Sequence, residues 1–126
     1  MWKDTLNHVL NRLPPHRLMP KPVKAYPVRL VGTRSYAGAI GRAAIGDVVE
    51  LLHEDGNPFD AGAIVVVDGD GATLGYVPRD NWLRGPLTDE GKGARAMVDG
   101  LDGGMTIVVT LIDDGAIGRR DFVVAD

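Results

Sequence analysis

Hydrophobic and polar positions alternate with two different periods along this chain, and the change falls near residue 26. In "WKDTLNHVLNRL", Trp2, Leu6, Val9, Leu10 and Leu13 recur at 3.6-residue spacing, which predicts a short amphipathic helix that Pro14 stops. A helix of about twelve residues is marginal alone in water, so it must dock or fray. The segment "PPHRLMPKPVKAYP" follows with five of the chain's eight prolines and reads as an extended arm. From Tyr26 onward the period becomes two, in short runs broken by glycine. "YPVRLVG", "GDVVELLHE", "GAIVVVD" and "ATLGYVP" predict four strands, and "DGDG" marks a hairpin between the third and fourth.

"GMTIVVTLIDD" is the clearest late strand. Met105, Ile107, Val109 and Leu111 point one way, and Thr106, Val108 and Thr110 the other. "ARAMVDG" and "RDFVVAD" are weaker strand patterns. "PRDNWLRGPL" predicts one or two helical turns, with Asp80 as cap and Gly85-Pro86 as the stop. Ala63 to Val67 is apolar on both faces, so it needs cover on both sides. The expected fold is mainly β. It is a small OB-like or SH3-like β-barrel with one or two short helices, carrying an N-terminal amphipathic helix and proline-rich arm. The division is 1–25 for the helix and arm and 26–126 for the barrel.

At 126 residues the chain fits one domain. No apolar run reaches the length of about 18 residues that spans a bilayer, and the N-terminus lacks a signal-peptide pattern, so a cytoplasmic protein is expected. Zero cysteines exclude disulfides and thiolate chemistry. Net charge is −3 but lopsided: residues 1–29 carry six basic groups against Asp4 alone, while residues 30–126 carry eight basic and sixteen acidic groups. A basic arm on an acidic body hints at nucleic-acid contact or at association between the two parts.

No catalytic constellation, metal site or cofactor motif stands up. His8, His16 and His53 lack ligand spacing, and Asp68-Gly-Asp70-Gly is a hairpin turn rather than a calcium loop. Glu54-Asp55 and Asp113-Asp114 read as solvated turn charges. The glycines of "GTRSYAG" and "GAIGRAAIG" match neither a P-loop nor a dinucleotide fingerprint. No enzyme is expected. Three segments remain: "VGTRSYAG", "NPFDAGAI" and "LGYVPRD". They hold three of the seven aromatics (Tyr36, Phe59, Tyr76) beside glycine, proline and charge. Single-stranded nucleic acid needs that mixture of flat faces, cations and tight backbone. Aromatics capping the ends of a barrel would account for it equally well.

The order V-G-x-R-x-Y-x-G, G-D-x-V-x-L, N-P-[FY]-D-x-x-A-I-x-V, G-x-x-x-G-Y-[LV]-P-R resembles the HIRAN domain family, in its stand-alone bacterial or phage form. The resemblance runs from about Tyr26 to Asp126, densest between Val31 and Asp80. It implies an OB-like barrel that binds the 3′-hydroxyl end of single-stranded DNA and serves DNA repair, replication or defence. Carried over, it implies that Arg34 contacts the terminal DNA, that Asn57, Phe59 and Asp60 form the end-binding loop, that Tyr76 contacts a base and that Arg79 lies near the backbone; Tyr36 joins this set as an aromatic of the first motif. Ser35 stands where the eukaryotic DNA-binding members carry a stacking aromatic, and Phe59 where they carry tyrosine. Within this reading Pro58 presets the turn, Phe59 faces a base or sugar, and Asp60 accepts from a terminal hydroxyl while repelling a terminal phosphate. The expected partner is a single-stranded DNA 3′ end, with a helicase, nuclease or other protein partner for residues 1–25. The alternative is a protein-interaction or structural domain on the same fold that has lost DNA binding and acts through its N-terminal helix and arm.

Overall fold

A computed structural model describes residues 24–123; the expected N-terminal helix and arm lie outside the described residues, except for Lys24 and Ala25. Among the described residues seven strands form a curled, largely antiparallel half-barrel: β1 (Tyr26–Arg29), β2 (Val48–Asp55), β3 (Ile64–Val67), β4 (Thr73–Tyr76), β5 (Gly93–Gly100), β6 (Thr106–Ile112) and β7 (Gly118–Asp121). The strand order is β1-β6-β5-β2-β3-β4, and β7 pairs with β2 in parallel. The curl comes from β2. Its first residues, Val48 and Val49, pair with β5, whereas Glu50–His53 pair with β3 and Leu52–Asp55 with β7. One strand thus serves two sheet faces, as a bent strand at a barrel corner does. The two ends of the strand order meet where Val31 and Tyr76 exchange backbone hydrogen bonds of 2.9 Å each way.

The alternation read from the sequence places the core. Met105, Ile107 and Val109 are fully buried on the inner side of β6, while Thr106, Val108 and Thr110 face outward. The continuous run in β3 is buried on both faces: Ile64 and Val66 belong to the main core cluster, and Val65 and Val67, on the opposite face, are equally shielded from water. Burying each such aliphatic side chain contributes about 1.5–3 kcal/mol. The expected β3–β4 hairpin forms, and Asp68 Oδ1 fastens it by accepting from the amides of Asp70 and Ala72. Gly75, inside β4, is required by close approach. A Cβ there would stand 2.8 Å from the Val31 carbonyl oxygen, so only glycine lets the two edges join.

One element is added to the expected set and one local expectation is corrected. Residues 33–42 form a 3₁₀ turn (Thr33–Tyr36) running into α1 (Ala37–Arg42), which the glycine-rich pattern did not announce. Ala39 buries against the core and holds it. The helical segment after Pro78 does not stop at Gly85-Pro86. It continues through them as one wide turn (Gly85–Asp89), because a proline in a first turn forfeits no hydrogen bond. Leu83 and Leu87 anchor that segment, both fully buried; no side chain caps the wide turn, and the turn before it is closed by Asn81, which accepts from the Leu83 amide at 2.9 Å, rather than by Asp80.

Candidate nucleic-acid interface

At the end of the half-barrel where Val31 meets Tyr76, the 3₁₀ turn, the β2–β3 loop, β4 and the C-terminal end of β7 surround an open groove. One part of it, about 350 Å³, is lined by Val31, Tyr36, Asn57, Phe59, Asp60, Ala63, Tyr76, Val77, Arg79 and Phe122. A second hollow of about 360 Å³ shares Tyr36, Tyr76 and Phe122 and extends to Glu54, Thr73, Arg120 and Val123. Six of the seven residues selected from the sequence therefore border one opening. Arg34 does not: it lies on the exposed face of the 3₁₀ turn and lines neither hollow.

The loop "NPFD" is held by its own first residue. Asn57 Oδ1 accepts from the amides of Phe59 (2.8 Å) and Asp60 (3.1 Å), while its Nδ2 donates to Glu54 Oε1 at 3.0 Å. This turn thrusts Phe59 into solvent, 78% exposed, with its only aromatic neighbour among the described residues being Phe122, edge-on at 6.5 Å between ring centres. Nothing in the core needs an aromatic there. Across the groove, Tyr36 and Tyr76 lie 6.4 Å apart with tilted rings.

Asp60 is tied in more firmly than a turn residue needs to be. Oδ1 accepts from Arg84 at 2.8 Å and from the Gly62 amide at 3.1 Å, and Oδ2 lies 3.8 Å from Arg79 Nε. The Arg84 hydrogen bond holds the carboxyl below its ordinary value of 3.8; partial burial opposes it, and the Gly62 amide and both arginine charges assist. Gly62 is what admits Arg84, since a Cβ there would fall 2.4 Å from the guanidinium. Arg84 also donates to the Arg79 carbonyl at 2.8 Å, and Arg79 donates to the Phe59 carbonyl. The Arg79 side chain remains 70% exposed, so its cation is presented at the rim.

Beneath the groove lies a charge that the sequence pattern placed wrongly. Glu54 is 2% exposed, not a solvated turn acid. Its Oε1 accepts from Tyr76 Oη at 2.6 Å and from Asn57, and its Oε2 is paired with Arg120. Arg120 also donates to Thr73 Oγ1 at 2.8 Å. Burial first, then the bond to Glu54 and the proximity of Tyr36, push the Tyr76 phenol well above the usual range. Tyr76 is accordingly a fixed wall of the groove, with one ring edge against Gly32 and its hydroxyl already committed. Four contributors were missed from sequence: Glu54, Arg84, Arg120 and Phe122. Only Phe122 carried a signal, as an aromatic in a weak terminal strand pattern.

Such a groove offers flat apolar faces at two walls, an exposed cation at the rim, and one carboxylate oxygen shared only with that cation. The family profile described as "HIRAN domain" matches residues 23–102. The chain belongs to the HIRAN domain family. Solved structures agree on the fold of this HIRAN domain. A protein from Lactobacillus plantarum is 27% identical with a TM-score of 0.59, covering 71% of this chain and 97% of that one. The crystal structure of the HIRAN domain of human HLTF is 22% identical with a TM-score of 0.58, covering 69% and 74%. The NMR structure of the HLTF HIRAN domain in its DNA-bound conformation is 19% identical with a TM-score of 0.52, covering 76% of each. A comparison with curated proteins gave no match. Among the described residues no helix is long and apolar enough to cross a membrane, and no cluster of three or more His, Asp or Glu could hold a metal.

Proposed function

We propose that this HIRAN domain is a non-enzymatic module that binds single-stranded DNA at its 3′-hydroxyl end and targets a repair, replication or defence assembly to such ends. The observation that carries the reading is Phe59. An aromatic held 78% exposed by two side-chain-to-amide bonds from Asn57, facing Tyr76 and Phe122 around one groove, is a stacking platform awaiting a flat ring. The family and the DNA-bound HLTF domain supply the ligand class. Stacking on such a platform is worth about 1–3 kcal/mol per base and tolerates any sequence.

Asp60 supplies the end selectivity. Oδ1 is occupied by Arg84 and Gly62, so Oδ2 is the oxygen left for a terminal hydroxyl, which it would hold in a charge-assisted bond. A terminal phosphate in the same place would meet the carboxylate's charge. Arg79 beside it would take the preceding phosphodiester. With an acidic body the contact stays local, to the last few nucleotides, and Arg34, outside the groove, contributes at most to the approach. Fluorescence anisotropy with short labelled oligonucleotides ending in 3′-hydroxyl or 3′-phosphate tests this directly. Tighter binding to the hydroxyl end is expected; equal affinity for both ends, or none for single strands, overturns it.

A further inference from the structure

Away from the groove, the outer face of the β1-β6-β5-β2 sheet carries an apolar band with no cover among the described residues. Strand register sets four side chains in one row across it: Pro27 opposite Val108, Val108 opposite Met97, and Met97 opposite Val48. Val48 is 73% and Met97 45% exposed. Val48, Met97 and Val108 of that row, with Ala25 and Thr110, line a shallow trough of about 550 Å³ that shares no lining residue with the groove. Strands are about 4.8 Å apart, so the row is about 15 Å long. Polar side chains, Glu50 and Arg95, border it. An outward β face in water ordinarily alternates toward polar residues; this one does so at Thr106 and Thr110 but not along the row.

We propose that residues 2–13 of the same chain dock on this row as an amphipathic helix. Ala25, the second residue described, is itself part of the trough, so the chain leaves the described body at the edge of the apolar band. Residues 14–24 form the tether. Eleven residues of proline-rich chain reach roughly 30 Å at about 3.1 Å each, twice the length of the row. Residues 2–13 as a helix would be about 18 Å long, and Trp2, Leu6, Val9, Leu10 and Leu13 form an apolar stripe of that length. A helix this short is unstable unless something buries its stripe, and the sheet row is the matching surface nearest its point of attachment. Residues 2–13 carry Lys3 and Arg12 against Asp4, and Glu50 and Asp99 are exposed beside Arg95 on the outer face, so the apolar stripe rather than charge would seat the helix.

The test uses the full chain. Peptide-resolved hydrogen exchange should show residues 2–13 protected at least tenfold over an unstructured peptide. In a Trp82→Phe background, Trp2 should emit at shorter wavelength than free tryptophan. Val48→Lys with Met97→Lys should abolish both signals while exchange in β3 and β6 stays unchanged. Leu6→Lys with Leu10→Lys should do the same from the other partner, without touching the sheet. Size-exclusion chromatography with light scattering should give a monomer across concentrations. Unprotected residues 2–13 in the wild-type chain overturn the proposal. Protection that survives the sheet substitutions, or that appears only in a concentration-dependent dimer, overturns it equally by assigning the helix another seat.

Discussion

Glu54→Gln is the substitution whose outcome the structure fixes most tightly. Glu54 is almost fully buried, and its partner Arg120 is 28% exposed at the side chain. Glutamine keeps the shape. Its carbonyl oxygen can take the place of Oε1 and still accept from Tyr76 and Asn57. Its amide must then face the Arg120 guanidinium, donor against donor, leaving a partly buried cation uncompensated. Breaking a fully buried pair in this way costs about 3–5 kcal/mol. Water reaches Arg120 and takes back part of its charge, so about 2–3 kcal/mol is expected, or roughly 10–15 °C in Tm for a domain of this size. Urea denaturation followed by circular dichroism measures it. Glu54→Gln combined with Arg120→Met removes both charges and should recover at least about 1 kcal/mol relative to the sum of the single variants. A single-variant loss below about 0.5 kcal/mol, or strict additivity in the pair, refutes the claim that this ion pair is desolvated and coupled.

Phe59→Ala should leave Tm within a degree or two, since the ring is exposed, yet weaken binding of single-stranded 3′ ends by about 1–3 kcal/mol; loss of stability with binding intact would make Phe59 structural. Asp60→Asn should bind hydroxyl ends somewhat more weakly and discriminate less against phosphate ends in the same anisotropy assay, and because it also loses the Arg84 pair its unfolding midpoint should fall measurably. Asp60 has its folded pKa depressed below 3.8, chiefly by Arg84, so its contribution is fully present above the unfolded value and lost as pH falls through the folded one. Arg84→Ala should therefore reduce stability at neutral pH and flatten its decline below about pH 4, measured by denaturant titration across that range. Neutralising Lys3, Arg12, Arg17 and Lys21 with glutamine should flatten the salt dependence of DNA binding, by about 0.7 in log–log slope for each phosphate no longer neutralised, while end preference persists; an unchanged slope removes the arm from DNA binding.

Local grammar carried the strands. Period-two alternation in residues 104–114, the two-faced apolar run at 63–67 and the Asp-Gly hairpin are each decided by residues within a few positions of one another, and they stand where the sequence placed them. The family order of motifs likewise located the groove, because Tyr36, Asn57, Phe59, Asp60, Tyr76 and Arg79 converge on it. What the sequence could not decide was which polar groups would meet. Alternation assigns a face but not a partner, and an acid at a strand end is solvated by default. Glu54 becomes a buried anchor because parallel pairing of β7 with β2 sets Arg120 directly opposite it, 66 residues on. Asp60 is held by an arginine 24 residues away that reaches it past a glycine. Arg34, matched by motif, turns out of the groove because the unannounced 3₁₀ turn rotates its side chain to solvent while placing Tyr36 inward. Desolvation gives these pairings their strength, and desolvation is a property of the closed sheet, where chain segments distant in sequence exclude water from one another.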